Sequence, residues 1–423
     1  MSTTSESRNV PFVALSHRDF RLLWLGQLIS QAGSTMQVVA INWHISVLTD
    51  YDPLALGLVG LSRVVPVIFF SLVAGAVADA RDRRKVLLVT QSAMAIFAAL
   101  LGLLADRDLQ LVWPIYLLNM LTASAFAFDM PARQALIPSL VPREHLSNAL
   151  SLNSIMFDVA TIIGPMLAGI LIAARDVAIV YWIDAISFLA VIGALLIMHP
   201  AKQEIRRTAS IGAVKEGLRY VFRQPIVRST MLLDFFATFF SSASQLLPIF
   251  AAHILQVGAI GYGLLTSASA IGSLIAGSVM GFITRIRKPG AVILGSVAIY
   301  GLATLAFGLS RSFVVSLLLL AATGAADTVS MILRQTIRQV VTPDDLRGRM
   351  TSVNMIFFMG GPLLGELEAG VVAALFSAPL SVVTGGLGCL IAVAVTAWKA
   401  PLLRKFDEQD LQRANAALVA AGK

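Results

Sequence analysis

Six carboxylates stand inside long apolar runs: Asp158, Asp184, Asp234, Asp327, Glu366 and Glu368. Arg63 stands in another run, and His44 closes one that also holds Gln27, Gln31, Gln37 and Asn42. Ionisable groups are costly in hydrocarbon, so each marks a candidate site. The chemistry open to such a carboxylate is proton exchange, provided its exposure alternates between the two sides of a membrane. Asp158, Asp234, Asp327 and Glu366 are the candidates for proton coupling. A satisfied structural carboxylate is the competing reading for each. Glu366 and Glu368 are two residues apart and point in different directions on a helix, so one of them faces the cavity. Asp184 is expected near the outer surface. Arg63 reads as the sole buried base, paired with an acid. His44 fits either a proton relay near neutral pH or a packing role. Asp129 and Arg133 are spaced for a local i,i+4 pair with a structural or gating role.

The elements that must position these groups are membrane helices. The chain has 423 residues, of which 57% are hydrophobic and 13% charged, against the roughly 25% charge of soluble domains. Apolar runs near the ~20 residues that cross a bilayer recur throughout. They predict twelve helices, at 20–47, 54–78, 86–105, 110–130, 148–173, 177–199, 228–252, 259–282, 290–308, 312–335, 351–374 and 378–398. Helices 1 and 7 are the least uniform, the seventh holding Asp234, Gln245 and Pro248. Short alternating strands of a barrel do not occur in this pattern. The fold class is therefore an all-α membrane protein with twelve transmembrane helices.

Loop charge sets the orientation. Lys and Arg divide 28 against 3 between the two sides, counting Arg133 and Arg334 as helix-end bases. The positive-inside bias then puts both termini in the cytoplasm. The net charge of +8 fits anionic lipid. No basic groove with interleaved aromatics points to nucleic acid. Residues 1–19 form a polar cytoplasmic tail without the apolar stretch of a signal peptide. Residues 20–199 form a six-helix bundle, 200–227 a central cytoplasmic loop, 228–398 a second bundle, and 399–423 a cytoplasmic tail. Within the central loop, 211–223 reads as an amphipathic surface helix, and the tail reads as a short solvated helix. Cys389 has no intrachain partner. The sequence holds no phosphate-cradling GxxxxGK[ST], no HExxH, no Cys/His metal cluster and no serine nucleophile elbow. The expectation is a protein that is not an enzyme, has no cofactor or metal, and draws energy from a gradient.

The two bundles repeat. Arg133, Gln134, Pro142 and Asn153 recur as Arg334, Gln335, Pro343 and Asn354, each 201 residues later. Gly164-Pro165 recurs as Gly361-Pro362 with a slip of four. A parallel repeat of six helices predicts two pseudo-symmetric halves around a central cavity.

A charged knot, Gly75 through Lys85, lies between helices 2 and 3. Its Gly75-x3-Asp79-x3-Arg83-Arg84-Lys85 pattern resembles the signature loop of the major facilitator superfamily. "FRLLWLGQLISQAGSTM" at 20–36 and "PARQALIPSLVP" at 131–142 look like its efflux branch, which holds the enterobactin exporter and macrolide or multidrug exporters. The resemblance implies that the knot is a gating loop, with Asp79 latching the outward-facing state. In the second half the bases persist, but Gly281 stands where Asp79 would. Gly164 and Pro165 resemble the motif that drug antiporters of the superfamily carry in helix 5, without its fuller glycine series. Helix 5 lines the cavity in this architecture, which puts Asp158 first among the coupling candidates. The implied function is proton-coupled export of a small amphipathic compound, drug or siderophore-like, from the bacterial inner membrane. Partners are the small-molecule substrate, protons and membrane lipids, and the protein is expected as a monomer. Gln31, Asn42, His44 and Phe157 are candidate cavity residues, with Trp24, Trp43, Phe235 and Phe236 as aromatic surface. Metabolite import, and a nontransporting sensor or scaffold, are the alternatives.

Overall fold

A computed structural model describes residues 12–199, 211–242, 244–283, 285–410 and 412–413. Side chains at 71–73, 75, 76, 78–80, 211–215, 344, 345 and 352 lie outside the described set. Of the predicted gating loop, Gly75 and Asp79 are therefore described only as helical backbone. Among the described residues there is no strand.

The helices are α1 Arg18–Leu48, α2 Pro53–Ala80, α3 Arg83–Asp106, α4 Trp113–Leu136, α5 Leu146–Ala174, α6 Val177–Ile197, α7 Ile211–Arg223 and α8 Pro225–Phe240. Then follow α9 Leu247–Ile249, α10 Gly258–Phe282, α11 Pro289–Leu309, α12 Phe313–Val341, α13 Asp344–Leu375, α14 Ala378–Lys399 and α15 Pro401–Lys405. Their starts follow local chemistry. Asp52 caps α2 ahead of Pro53, Asp82 caps α3, Asp176 caps α6 and Ser377 caps α14, each side chain accepting from an otherwise orphaned backbone N–H.

Ten helical segments among the described residues are long and apolar enough to cross a membrane. The chain is an all-α, multi-pass membrane protein. Helices α1 and α4 have 31 and 24 residues but fall outside those ten, because polar residues interrupt their apolar faces.

Three expectations need correction. The seventh helix is broken: α8 ends at Phe240, and a turn leads through Ser244–Leu246 into α9 and a π turn at Phe250–Ile254. Pro248 sits in the first turn of α9, where its missing N–H costs nothing. The tenth helix extends past 335 to Val341, so Arg338 is a buried helical residue rather than a loop base. The tail is not simply solvated. Leu403 and Phe406 are buried, Gly290 N–H donates to the Phe406 carbonyl, and Glu408 pairs with Arg285 at 2.6 Å.

Packing repeats along the chain. Helix α1 packs on α5 and α6, α3 on α4 and α6, and α2 on α4; later, α8 packs on α13 and α14, α11 on α12 and α14, and α10 on α12. Two pairs make the main junctions between the groups, α2 with α13 and α5 with α10, and α1 also touches α9 and α10. One core cluster runs through both groups, from Met36, Leu56 and Tyr181 to Phe250, Tyr262 and Phe307. It lies at the end that carries the short connections 49–52, 175–176 and 376–377. Toward the other end the cores are separate. One holds Phe20, Leu87, Leu136 and Leu152, and the other Val227, Ile293, Ile337 and Val353.

Candidate functional site

The repeated arginines lead to the two buried polar centres. Arg133 is in the last turn of α4 and forms an ion pair with Asp129 on its own helix. Asp129 also accepts from Thr90 at 2.9 Å and Gln91 at 2.7 Å, both on α3. Arg133 reaches Gln31 of α1 at 3.4 Å, and its Cζ lies 5.5 Å from the Phe157 ring centroid. The expected i,i+4 pair is thus present, and two cavity candidates, Gln31 and Phe157, gather around it.

In the second group Arg334 is almost wholly buried on α12. Its Nη2 lies 2.7 Å from Asp234 on α8 and 3.4 Å from Asp327, and its Nη1 donates to Ser330 at 2.9 Å. Arg338 lies 4.0 Å from Asp234 and donates to Asn354 of α13 at 2.6 Å. Sequence reasoning missed the pairing of Asp234 with Arg334. The repeat carried the signal: the residue 201 after Asp129 is Ser330, so Arg334 had to take its acid from elsewhere. Asp234 follows Gln31 by 203 residues and stands in the same relation to its arginine. The acid and the neutral partner have exchanged helices between the two groups.

Arg63 is not the sole buried base. Arg133, Arg334 and Arg338 are buried, while Arg63 is half-buried. The physical reason is that each buried guanidinium meets a carboxylate or amide in the interior, as a desolvated charge must.

Glu366 sits on the seam between the groups. It is buried on α13 and accepts from Gln245 Nε2 at 2.8 Å. A Cβ at Gly60 of α2 would come within 2.6 Å of its Oε2, so that glycine is what lets the carboxylate reach α2. The oxygen Oε1 of Gln245 is buried and unpartnered. Glu368 is half-buried, so the two glutamates have different surroundings, as their spacing suggested. Further along the seam, a Cβ at Gly370 would come 2.7 Å from the Gly57 Cα and from the Pro53 carbonyl. The other seam repeats this. A Cβ at Gly169 of α5 would come 2.6 Å from the Ala259 carbonyl and 3.2 Å from the Gly263 Cα of α10. Ser267 of α10 also donates to the Ile162 carbonyl of α5 at 2.7 Å. Small residues thus permit close backbone approach at both junctions.

The remaining candidates are dispersed. Asp158 is exposed on α5, and among the described residues no base pairs with it. Asp184, seven residues into α6, is fully buried and packs against Gly33 of α1. His44 Nδ1 lies 3.2 Å from the Tyr181 hydroxyl. Asn42 is buried with Oδ1 unpartnered. Trp24 donates to the Leu152 carbonyl at 2.9 Å, and Trp43 stacks on Tyr262 with centroids 5.7 Å apart. Phe235 backs the α8–α13 contact at Gly361, and Phe236 is exposed. Gly164 faces Thr35 and the Ala32 carbonyl of α1, while the Pro165 carbonyl faces Gly263.

In the charged knot, Arg83 donates to the Ala135 carbonyl at 2.7 Å. Arg84 donates to Leu195 at 2.5 Å and Leu196 at 2.9 Å. These carbonyls end α4 and α6, so the two bases occupy helix C-termini, where positive charge is favoured. Lys85 contributes its backbone N–H to the Asp82 cap.

Among the described residues no three His, Cys, Asp or Glu gather to hold a metal. The model of a family described as transmembrane secretion effector matches residues 9–421. The chain is 27% identical over 397 residues to the enterobactin exporter of Shigella boydii, covering 93% of this chain and 94% of that one. It is 27% identical over 400 residues to the enterobactin exporter of Salmonella typhimurium, covering 93% and 95%. In solved structures, a bacterial homologue of the iron transporter ferroportin, in an inward-facing state, aligns with TM-score 0.68 and 18% identity over 90% of this chain and 99% of that one. A POT family transporter in complex with 5-aminolevulinic acid aligns with TM-score 0.73 and 12% identity, over 92% and 97%.

Proposed function

Because the chain belongs to the transmembrane secretion effector family, we propose that it exports a small amphipathic compound, drug-like or siderophore-like, in exchange for protons. It is a secondary transporter of small molecules with the major facilitator fold. The finer reading takes α1–α6 and α8–α14 as two six-helix pseudo-symmetric halves, residues 20–199 and 228–398, joined by the central loop. Repeated packing, the fixed offset of Arg133 and Arg334, and the mirrored glycine contacts support it.

One observation carries the mechanism. The halves share a core at one end and have separate cores at the other. That is a molecule sealed on one side and parted on the other. The base distribution supports a periplasmic sealed end with both termini in the cytoplasm, and on that reading the state is inward-facing. Burying Arg133, Arg334 and Arg338 leaves the charge excess on the same side. Turning outward requires the α2–α13 and α5–α10 seams to part.

Glu366 is the carboxylate best placed to couple that parting to a proton, because it crosses the α2–α13 seam. Asp158, exposed on α5, is the runner-up. Asp234 and Asp327 share one arginine and serve as internal ties. The knot Gly75, Asp79, Arg83, Arg84 and Lys85 gates the cytoplasmic side, with Arg83 and Arg84 holding the ends of α4 and α6. Gly164 and Pro165 set the packing of α5. Gln31, Asn42, His44 and Phe157 contribute polar and aromatic cavity surface, and the unit works as a monomer in lipid.

Deleting the gene tests direction. Loss of an extruded compound, with gained sensitivity to amphipathic drugs such as erythromycin or ethidium, is the expected result. Loss of uptake of a metabolite, with drug tolerance unchanged, would overturn export in favour of import.

A further inference from the structure

Asp184 is the buried acid that this scheme leaves unused. The other buried acids are provided for: Asp129 pairs with Arg133, Asp234 with Arg334, and Glu366 accepts from Gln245. Asp184 is fully buried on α6, and no cation accompanies it among the described residues. The helices around it supply none. Helix α6 itself offers Ser187, whose hydroxyl lies 3.4 Å from Oδ1, and Tyr181 one turn away. Helix α1 offers Gly33 and Ser34; its His44 is ten residues further on, about 15 Å along the axis, and engaged by Tyr181. Helix α3 carries its titratable groups only at its ends, Arg83, Arg84, Lys85 and Asp106, and α5 carries only Asp158. An ionised carboxylate in such a place bears a desolvation cost that two serine hydroxyls do not offset. The fold nevertheless makes room for it: at Gly33, a Cβ would come within 2.6 Å of Oδ1. Its Oδ2 is buried and unpartnered.

Beside it lies a polar cavity. Gln27, Ser30, Gln31, Ser34, Gln91 and Arg133 are among the side chains lining a space of about 20 Å³, enough for one water. The Nε2 of Gln27 is buried without a partner, and Gln91 also donates to Asp129. The cavity therefore joins Ser34, the neighbour of Asp184, to the Asp129–Arg133 pair.

We propose that Asp184 is a second proton-binding carboxylate of the transport cycle, loaded and emptied through this cavity. The inference rests on the proton-driven reading given above. It goes beyond it by placing a proton inside the first half, away from the seam.

Two readouts on the full chain test it. In lipid nanodiscs, the infrared C=O band of protonated carboxyl groups should lose one group's intensity in Asp184→Asn and keep it in Asp158→Asn. In everted vesicles with ethidium as probe, Asp184→Asn should slow gradient-driven uptake roughly tenfold while gradient-free ethidium counterflow continues. Ser34→Ala keeps the acid but removes the hydroxyl facing the cavity. It should leave the infrared band intact and slow gradient-driven uptake severalfold, which keeps the test decisive if Asp184→Asn inserts poorly. An unchanged band in Asp184→Asn, or full gradient-driven uptake in either variant, overturns the proposal. Wild-type uptake that ignores the pH gradient contradicts the proton-driven reading itself, before any variant is compared.

Discussion

Arg334 on α12 lies 2.7 Å from Asp234 on α8, and the pair ties the two helices together inside the second packing group. Its counterpart Arg133 takes its acid from its own helix. The first pair moves with α4, whereas the second resists any separation of α8 from α12. Removing one partner of a buried pair strands the other charge, at a cost of about 3–5 kcal/mol. Asp234→Asn should therefore lower the melting temperature of the purified protein strongly. The Asp234→Asn, Arg334→Gln double variant should recover much of the loss. A double variant as unstable as the sum of the singles would show that the pair is not the tie.

Gly164 is set by α1. Its Cβ would meet Thr35 and the Ala32 carbonyl. Gly164→Ala should destabilise by about 1–3 kcal/mol, the range for overpacking. Thr35→Ala should restore part of this, because the hydroxyl is removed but the carbonyl stays. Thermal unfolding of the three variants measures both steps.

At the sealed end Tyr51 meets His253 edge-on, with centroids 4.4 Å apart. If the seal opens in each cycle, joining these positions must stop transport. A Tyr51→Cys, His253→Cys protein linked by a short bifunctional maleimide should lose export by about tenfold or more, and the unlinked protein should keep it. Undiminished export by the linked protein would mean that this end does not open.

Glu366→Gln keeps the hydrogen bond to Gln245 within reach and removes the titratable group. It should abolish uphill export while substrate exchange persists. Asp158→Asn is expected to cost less. Uphill export that survives in Glu366→Gln and fails in Asp158→Asn would move the coupling role to α5.

Asp79→Asn should leave the protein inserted at normal level and slow turnover. Unchanged turnover would remove the gating role and leave the knot as a set of helix-end contacts made by Arg83 and Arg84.

The sequence made the membrane helices legible because a bilayer demands long apolar runs, and those are local. It made the Asp129–Arg133 pair legible because one turn of helix connects them. Asp234 and Arg334 were harder: they lie 100 residues apart, and only the broken repeat at Ser330 pointed to a partner on another helix. Arg338 read as a loop base because apolar residues thin out after 335, yet the helix continues with that side chain on its buried face. Asp184 read as near the outer surface because it stands seven residues into its run, and nothing in that run told that it is wholly buried. Its burial depends on Gly33, 151 residues earlier, and no local pattern encodes that contact. The seams show the same limit, since Gly57 and Gly370 mean nothing separately and meet only in the fold.

The central claim is that opening of the sealed end is linked to proton movement. Everted vesicles loaded with a pH reporter and acidified inside test it most directly. Adding an exported compound, such as one found by gene deletion, should raise the internal pH in vesicles holding the wild-type chain and not in those holding Glu366→Gln. Transport of the compound with no change in internal pH would contradict the account.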